Sequence, residues 1–108
     1  MFFPAGPDPP TITGYTAGTL LPVGAAFSIT CSSCGANPAP TVTWELASAA
    51  LGSSSTQEAN SCTVLDYEIT SVTQADHDKT FDCKVDNTVG SPVTESITLQ
   101  VQCEFYPL

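Results

Sequence analysis

Two cysteines in this chain fall on the apolar side of alternating runs, and that placement constrains the fold more than any other feature. Phe27-Ser28-Ile29-Thr30-Cys31 sends Phe27, Ile29 and Cys31 one way and Ser28 and Thr30 the other. That is the two-residue period of a half-buried strand. Thr80 to Asn87 repeats the pattern, with Phe81, Cys83 and Val85 inward. Between them Thr41 to Leu46 aims Val42, Trp44 and Leu46 at a core and Thr43 and Glu45 at solvent, and Trp44 is the chain's one tryptophan. Strands that each carry a sulfur or an indole on the buried side call for an all-β interior.

Length and charge narrow the class. The 108 residues suffice for one domain and are too few for two comfortable cores. No apolar run approaches the roughly 20 residues of a membrane-spanning helix. Met1-Phe2-Phe3-Pro4 has neither the basic nor the apolar region of a signal peptide, so any secretion signal of a parent protein is expected outside this sequence. Eleven acidic residues against two lysines and no arginine give a formal charge of −9. Such a surface repels phosphates, which excludes nucleic acid and anionic membranes as partners. A partner should instead present basic or neutral surface. Five cysteines point to an oxidising compartment, and the odd count leaves at least one without an internal partner.

Residues 1–10 read as a Pro-rich lead-in. Thr11 to Tyr15 and Thr19 to Val23 read as a first strand broken in two, placed at a sheet edge because Pro22 has no N–H to give a ladder. Ala26 to Ser32 is the second strand, Ser33 to Pro40 a loop, and Thr41 to Leu46 the third strand. Ala47 to Ser61 is small and polar without convincing pattern, so any strand there is short, and there is little room for extra edge hairpins. Thr63 to Ser71 alternates Leu65, Tyr67 and Ile69 against Asp66, Glu68 and Thr70. Residues 72–76 turn the chain into Thr80 to Asn87, residues 87–90 give a hairpin signal, and residues 93–102 form the last strand with Ile97, Leu99 and Val101 buried. About seven antiparallel strands with turn signals between them suit a Greek-key β-sandwich, with Ile29, Trp44, Tyr67, Ile69, Phe81 and Leu99 as its core.

The stretch from Cys31-Ser-Ser-Cys34-Gly-Ala-Asn-Pro to Val42-Thr-Trp44 resembles the "C…G-N-P…V-T-W" segment of nephrin-like, nectin-like and hemicentin-like adhesion domains. Tyr67-x-Ile69-x-x-Val72-x-x-x-Asp76, followed by Phe81-x-Cys83, is similar to the same family's fifth-to-sixth-strand pattern. Residues 9–102 therefore resemble an immunoglobulin superfamily domain of the I or C2 type. There are departures. Phe81 stands where the family usually has a corner tyrosine, Lys79 replaces a small residue, and no F-G-x-G follows the sixth strand, unlike an antigen-receptor variable domain.

The resemblance implies a Cys31–Cys83 bridge between the two sheets. It also implies a register that sets Cys31 opposite Leu65. Facing positions in an antiparallel pair keep a constant sum, so Cys34 then faces Cys62. A second disulfide, Cys34–Cys62, is expected just outside the strands at one end of the sandwich. It either rigidifies a recognition loop or serves as a staple. Cys103, in a tail of residues 103–108, is left as an interchain bridge, and so a possible homodimer contact, or as a free thiol.

The other sites read weakly. Cys31-x-x-Cys34 lacks the basic surroundings of a redox pair and the second close pair of a zinc site. His77 sits in a turn among aspartates, which does not make a catalytic triad, so the chain is read as a non-enzyme. Asp76, Asp78, Asp82 and Asp86 form a solvated acidic run whose members do not converge on calcium. No cofactor or metal is assigned. The exposed face of the third, sixth and seventh strands carries Thr43, Glu45, Asp82, Lys84, Asp86, Thr98 and Gln100, and related adhesion domains commonly pair through that face. The resemblance thus implies an extracellular recognition or adhesion module with a heterophilic or homophilic protein partner, touching a membrane only through a parent receptor. The alternatives are a soluble immune-type recognition molecule and a structural spacer in a larger ectodomain.

Overall fold

A computed structural model describes residues 6–36, 38–47, 49–52, 56–57 and 62–102. Among them ten strand segments run in order: β1 Thr11–Thr13, β2 Leu20–Pro22, β3 Phe27–Cys34, β4 Thr41–Leu46, β5 Ala49–Gly52, β6 Thr56–Gln57, β7 Cys62–Ile69, β8 Thr80–Asp86, β9 Val93–Thr98 and β10 Gln100–Gln102. One sheet has the order β1-β3-β7-β6, the other β5-β4-β8-β9, and β2 pairs with β10 alone. The β2–β10 pair is parallel, whereas the other ladders are antiparallel. Pro22 ends β2 opposite Gln102, at the rim that its missing N–H requires.

The inward rows of both sheets make the core. Phe27, Ile29, Cys31, Val42, Trp44, Phe81, Cys83, Val85, Leu99 and Val101 are buried, and half-buried Leu65, Tyr67 and Ile69 pack against them. The aromatic rings interlock, with Phe81 5.6 Å from Phe27 and 5.5 Å from Tyr67 between centroids. Trp44 brings a polar atom inside, and its Nε1–H donates to the Leu65 carbonyl of the opposite sheet at 2.9 Å. A buried indole is tolerated on that condition. Beside it, the Cys31–Cys83 disulfide links β3 to β8 and so joins the layers.

Three sequence expectations change. β3 does not stop at Ser32: its inward alternation continues to Ser33, which is buried, and pairing with β7 runs to Cys34 opposite Cys62. The second disulfide, Cys34–Cys62, therefore lies within the ladder rather than outside it. The stretch after β4 supplies two segments as short as expected there, and β5 adds an edge to β4 through a register shift at Trp44 and Glu45, with Leu51 against the core. The last strand breaks at Leu99, whose N–H donates to Lys79 O (2.9 Å) and whose carbonyl accepts from Asp78 N (2.8 Å). Those bonds draw the chain off β8 and across to β2.

The turn after β7 is more interior than its composition suggests. Val72 is fully buried, its N–H donating to Ala25 O and its carbonyl accepting from Gly24 N. Asp76, expected in a solvated run, is also buried. Its carboxylate accepts from Thr73 N–H (2.8 Å), from the Thr73 hydroxyl (3.2 Å) and from Lys79 Nζ (2.9 Å). The backbone N–H of Thr73 is the main cause that holds the Asp76 carboxyl below the usual carboxylate range, and Lys79 assists against the cost of burial. Gly14 is required where it stands: its φ is +101°, and a methyl there would run into the Ser28 carbonyl.

Candidate interaction face

The outward side of the β4–β8–β9 ladder is built by alternation alone. Register sets Thr41 beside Asp86, Thr43 beside Lys84, and Glu45 beside Asp82. On the other side of β8, Lys84 faces Thr94, Asp82 faces Ser96 and Thr80 faces Thr98. Hydroxyls tie these rows together: Ser96 donates to Asp82 Oδ1 at 2.6 Å, and the Thr80 and Thr98 hydroxyls lie 2.9 Å apart. Thr41, Thr43, Glu45, Lys84, Asp86 and Thr88 line a shallow depression of about 230 Å³.

The charges on this face are unevenly committed. Of the two lysines, Lys79 is held by Asp76, while Lys84 is exposed and makes no ion pair among the described residues. Asp86 accepts the Thr88 N–H (2.8 Å), and Thr88 itself takes a left-handed φ of 65°, an uncommon state for a β-branched residue. That conformation sets the rim of the depression at the β8–β9 turn. Behind it, buried Asn87 donates to the Pro38 carbonyl at 3.0 Å and accepts from Val89 N–H at 3.1 Å, tying the turn to the loop before β4.

Six of the seven face residues expected from sequence lie on these three strands. Gln100 does not: it begins β10, beyond the break at Leu99, and its side-chain amide donates to Asp78 Oδ1 at 3.0 Å. Thr41 and Thr88, which line the depression, escaped the sequence reading. Strand alternation places Thr41 on the same side as Thr43, and that signal was available. No local signal announces Thr88. Cys103 and the expected lead-in residues 1–5 lie outside the described residues. Among the described residues, no group of three or more His, Cys, Asp or Glu side chains converges as a metal site would require.

Two face-packed layers, a cross-sheet disulfide beside a buried tryptophan and a polar outer face define an immunoglobulin-type β-sandwich module. The family model for the immunoglobulin domain matches residues 9–87, and the chain belongs to that family. No curated protein matches the sequence. Among solved structures, the fold is similar to the full ectodomain (Ig1–Ig3) of mouse nectin-like molecule 4, with a TM-score of 0.70 and 17% identity over 90% of this chain and 34% of that one. It is similar also to Rst D1-D2 (TM-score 0.72, 20% identity, 89% of this chain and 49% of that one). A third is the N-terminal Ig1-2 module of the Drosophila receptor protein tyrosine phosphatase DLAR (0.62, 22%, 93% and 53%). The chain thus spans between a third and about half of these multi-domain structures. At such identities the likeness concerns the fold. The immunoglobulin-domain family is generally non-enzymatic, and its members in adhesion receptors generally bind protein partners.

Proposed function

We propose that this domain, residues 11–102, is an extracellular recognition module that binds a protein partner through the outer face of β4, β8 and β9. The observation that carries the reading is the depression around Lys84, which makes no ion pair among the described residues and is flanked there by Glu45 and Asp86 and rimmed by threonines. A polar, shallow site of this kind suits another protein's surface better than a small molecule. Two disulfides in one small domain accord with an oxidising compartment. With a formal charge of −9, two copies meeting face to face repel unless each Lys84 meets a carboxylate of the other. A heterologous partner with a neutral or basic surface is electrostatically favoured, and its association should slow as salt is raised. A spacer role is the second reading, favoured because the similar structures are tandem arrays.

The test is a binding screen of the purified domain against a panel of immunoglobulin-type ectodomains, with sedimentation velocity to measure self-association. The reading expects a hit whose affinity falls at least tenfold in Glu45→Lys/Asp86→Lys and holds in Glu68→Lys, on the opposite sheet. Equal loss in both variants, or none in the first, would move the contact elsewhere.

A further inference from the structure

The first two amides of β10 are held by side chains. Gln100 N–H donates to the Tyr15 hydroxyl at 3.1 Å, and Val101 N–H donates to His77 Nδ1 at 2.9 Å. Val101 is buried, so its amide has little water to fall back on. An imidazole that accepts at Nδ1 is neutral and carries its proton on Nε2. Protonation converts Nδ1 into a donor, and two donors then face each other. His77 is the chain's one histidine, and histidine is the side chain that ordinarily changes charge between about pH 5 and 8.

We propose that His77 is a pH-sensitive latch, which in its neutral form fastens β10 to the turn before β8 and on protonation releases it. The groups around the ring define the counterweight. Asp78 Oδ2 lies 3.6 Å from Nε2, and its other oxygen accepts from the Gln100 amide. Asp76 and Lys79, on the same turn, are bonded to one another. β10 and its partner β2 contribute no titratable side chain (Gln100, Val101, Gln102; Leu20, Leu21, Pro22). Among the described residues Asp78 alone rewards the imidazolium, and it does so in a largely solvated position, where an ion pair is screened. Acidification therefore exchanges a part-buried hydrogen bond from a backbone amide to the imidazole for an exposed ion pair, and it loosens β10.

Amide hydrogen exchange by NMR on the whole chain at pH 7.5 and 5.0, corrected for intrinsic rates, tests the latch. The expected result is a fall of about tenfold in Val101 protection at pH 5.0, with the core amide of Cys83 unchanged. His77→Ala should show low Val101 protection at both pH values. Equal Val101 protection at the two pH values in the unmodified protein, or a pH dependence that survives in His77→Ala, would overturn the proposal. Should that variant fail to fold, imidazole ¹⁵N shifts of the unmodified protein at pH 7.5 decide: the Nε2–H tautomer supports the latch, and the Nδ1–H tautomer or an imidazolium overturns it.

Discussion

The two ends of this sandwich are closed by different chemistry. At the end where β3 stops and β7 begins, Cys34–Cys62 bridges adjacent strands, and Asn87 binds the loop before β4 through Pro38. At the other, a buried carboxylate, an imidazole and a phenol hold the turn of residues 73–79 and β10. The ties at the first end are a disulfide and a neutral side-chain amide, which proton activity hardly touches. The second includes a carboxylate and an imidazole, whose bonds depend on charge state. A single fold can thus present one end that is rigid across conditions and one that responds to them. The candidate face spans from the rigid end, where Asp86 and Thr88 lie, toward the responsive one, where Thr80 and Thr98 lie.

The sharpest way to break this contrast is to remove the covalent tie. Cys34→Ala/Cys62→Ala should cost about 2–4 kcal/mol in urea unfolding, by the same amount at pH 7 and pH 5, with the fold retained through Cys31–Cys83. Asp76→Asn attacks the opposite end and should cost about 1–2 kcal/mol at pH 7. The sign of its pH dependence follows from the lowered pKa. The carboxylate's contribution is fully present above the ordinary value of 3.8 and is lost as pH falls through the lower folded-state value. The gap between variant and unmodified protein should therefore close in acid below about pH 4; a gap that stays constant to pH 2 would refute the assignment. Asn87→Ala should cost about 1 kcal/mol, because it leaves the Pro38 carbonyl and Val89 N–H to find new partners, and a thermal melt would read it. The smallest effect is expected at Ser33, whose buried hydroxyl has no hydrogen-bond partner among the described residues. Ser33→Ala should be neutral or stabilise by up to about 1 kcal/mol, and a clear loss would reveal a bond to that hydroxyl.

Strand periodicity made the centre of the molecule legible. Phe27, Ile29, Cys31, Val42, Trp44, Phe81, Cys83 and Val85 face inward because alternation leaves them no other side, and the family's register correctly set Cys31 opposite Leu65. What escaped depends on contacts that no local pattern encodes. Asp76 reads as a solvated acid until Thr73 and Lys79 are seen to enclose it. His77 is exposed, as its turn suggests, but no local signal gives its bond to Val101 N–H, twenty-four positions later on β10. Gln100 keeps the alternation of β9, yet the backbone bonds at Leu99 carry it to another sheet. β5 is a run of small residues with no pattern of its own, and it exists because β4 offers an edge.

Proteolysis under oxidising conditions with thiols blocked, followed by mass spectrometry of the linked peptides, tests the clamped two-layer architecture most directly. The account expects residue 31 joined to residue 83 and residue 34 joined to residue 62. A peptide pair joining residue 31 to residue 62, or residue 83 to residue 34, would contradict it.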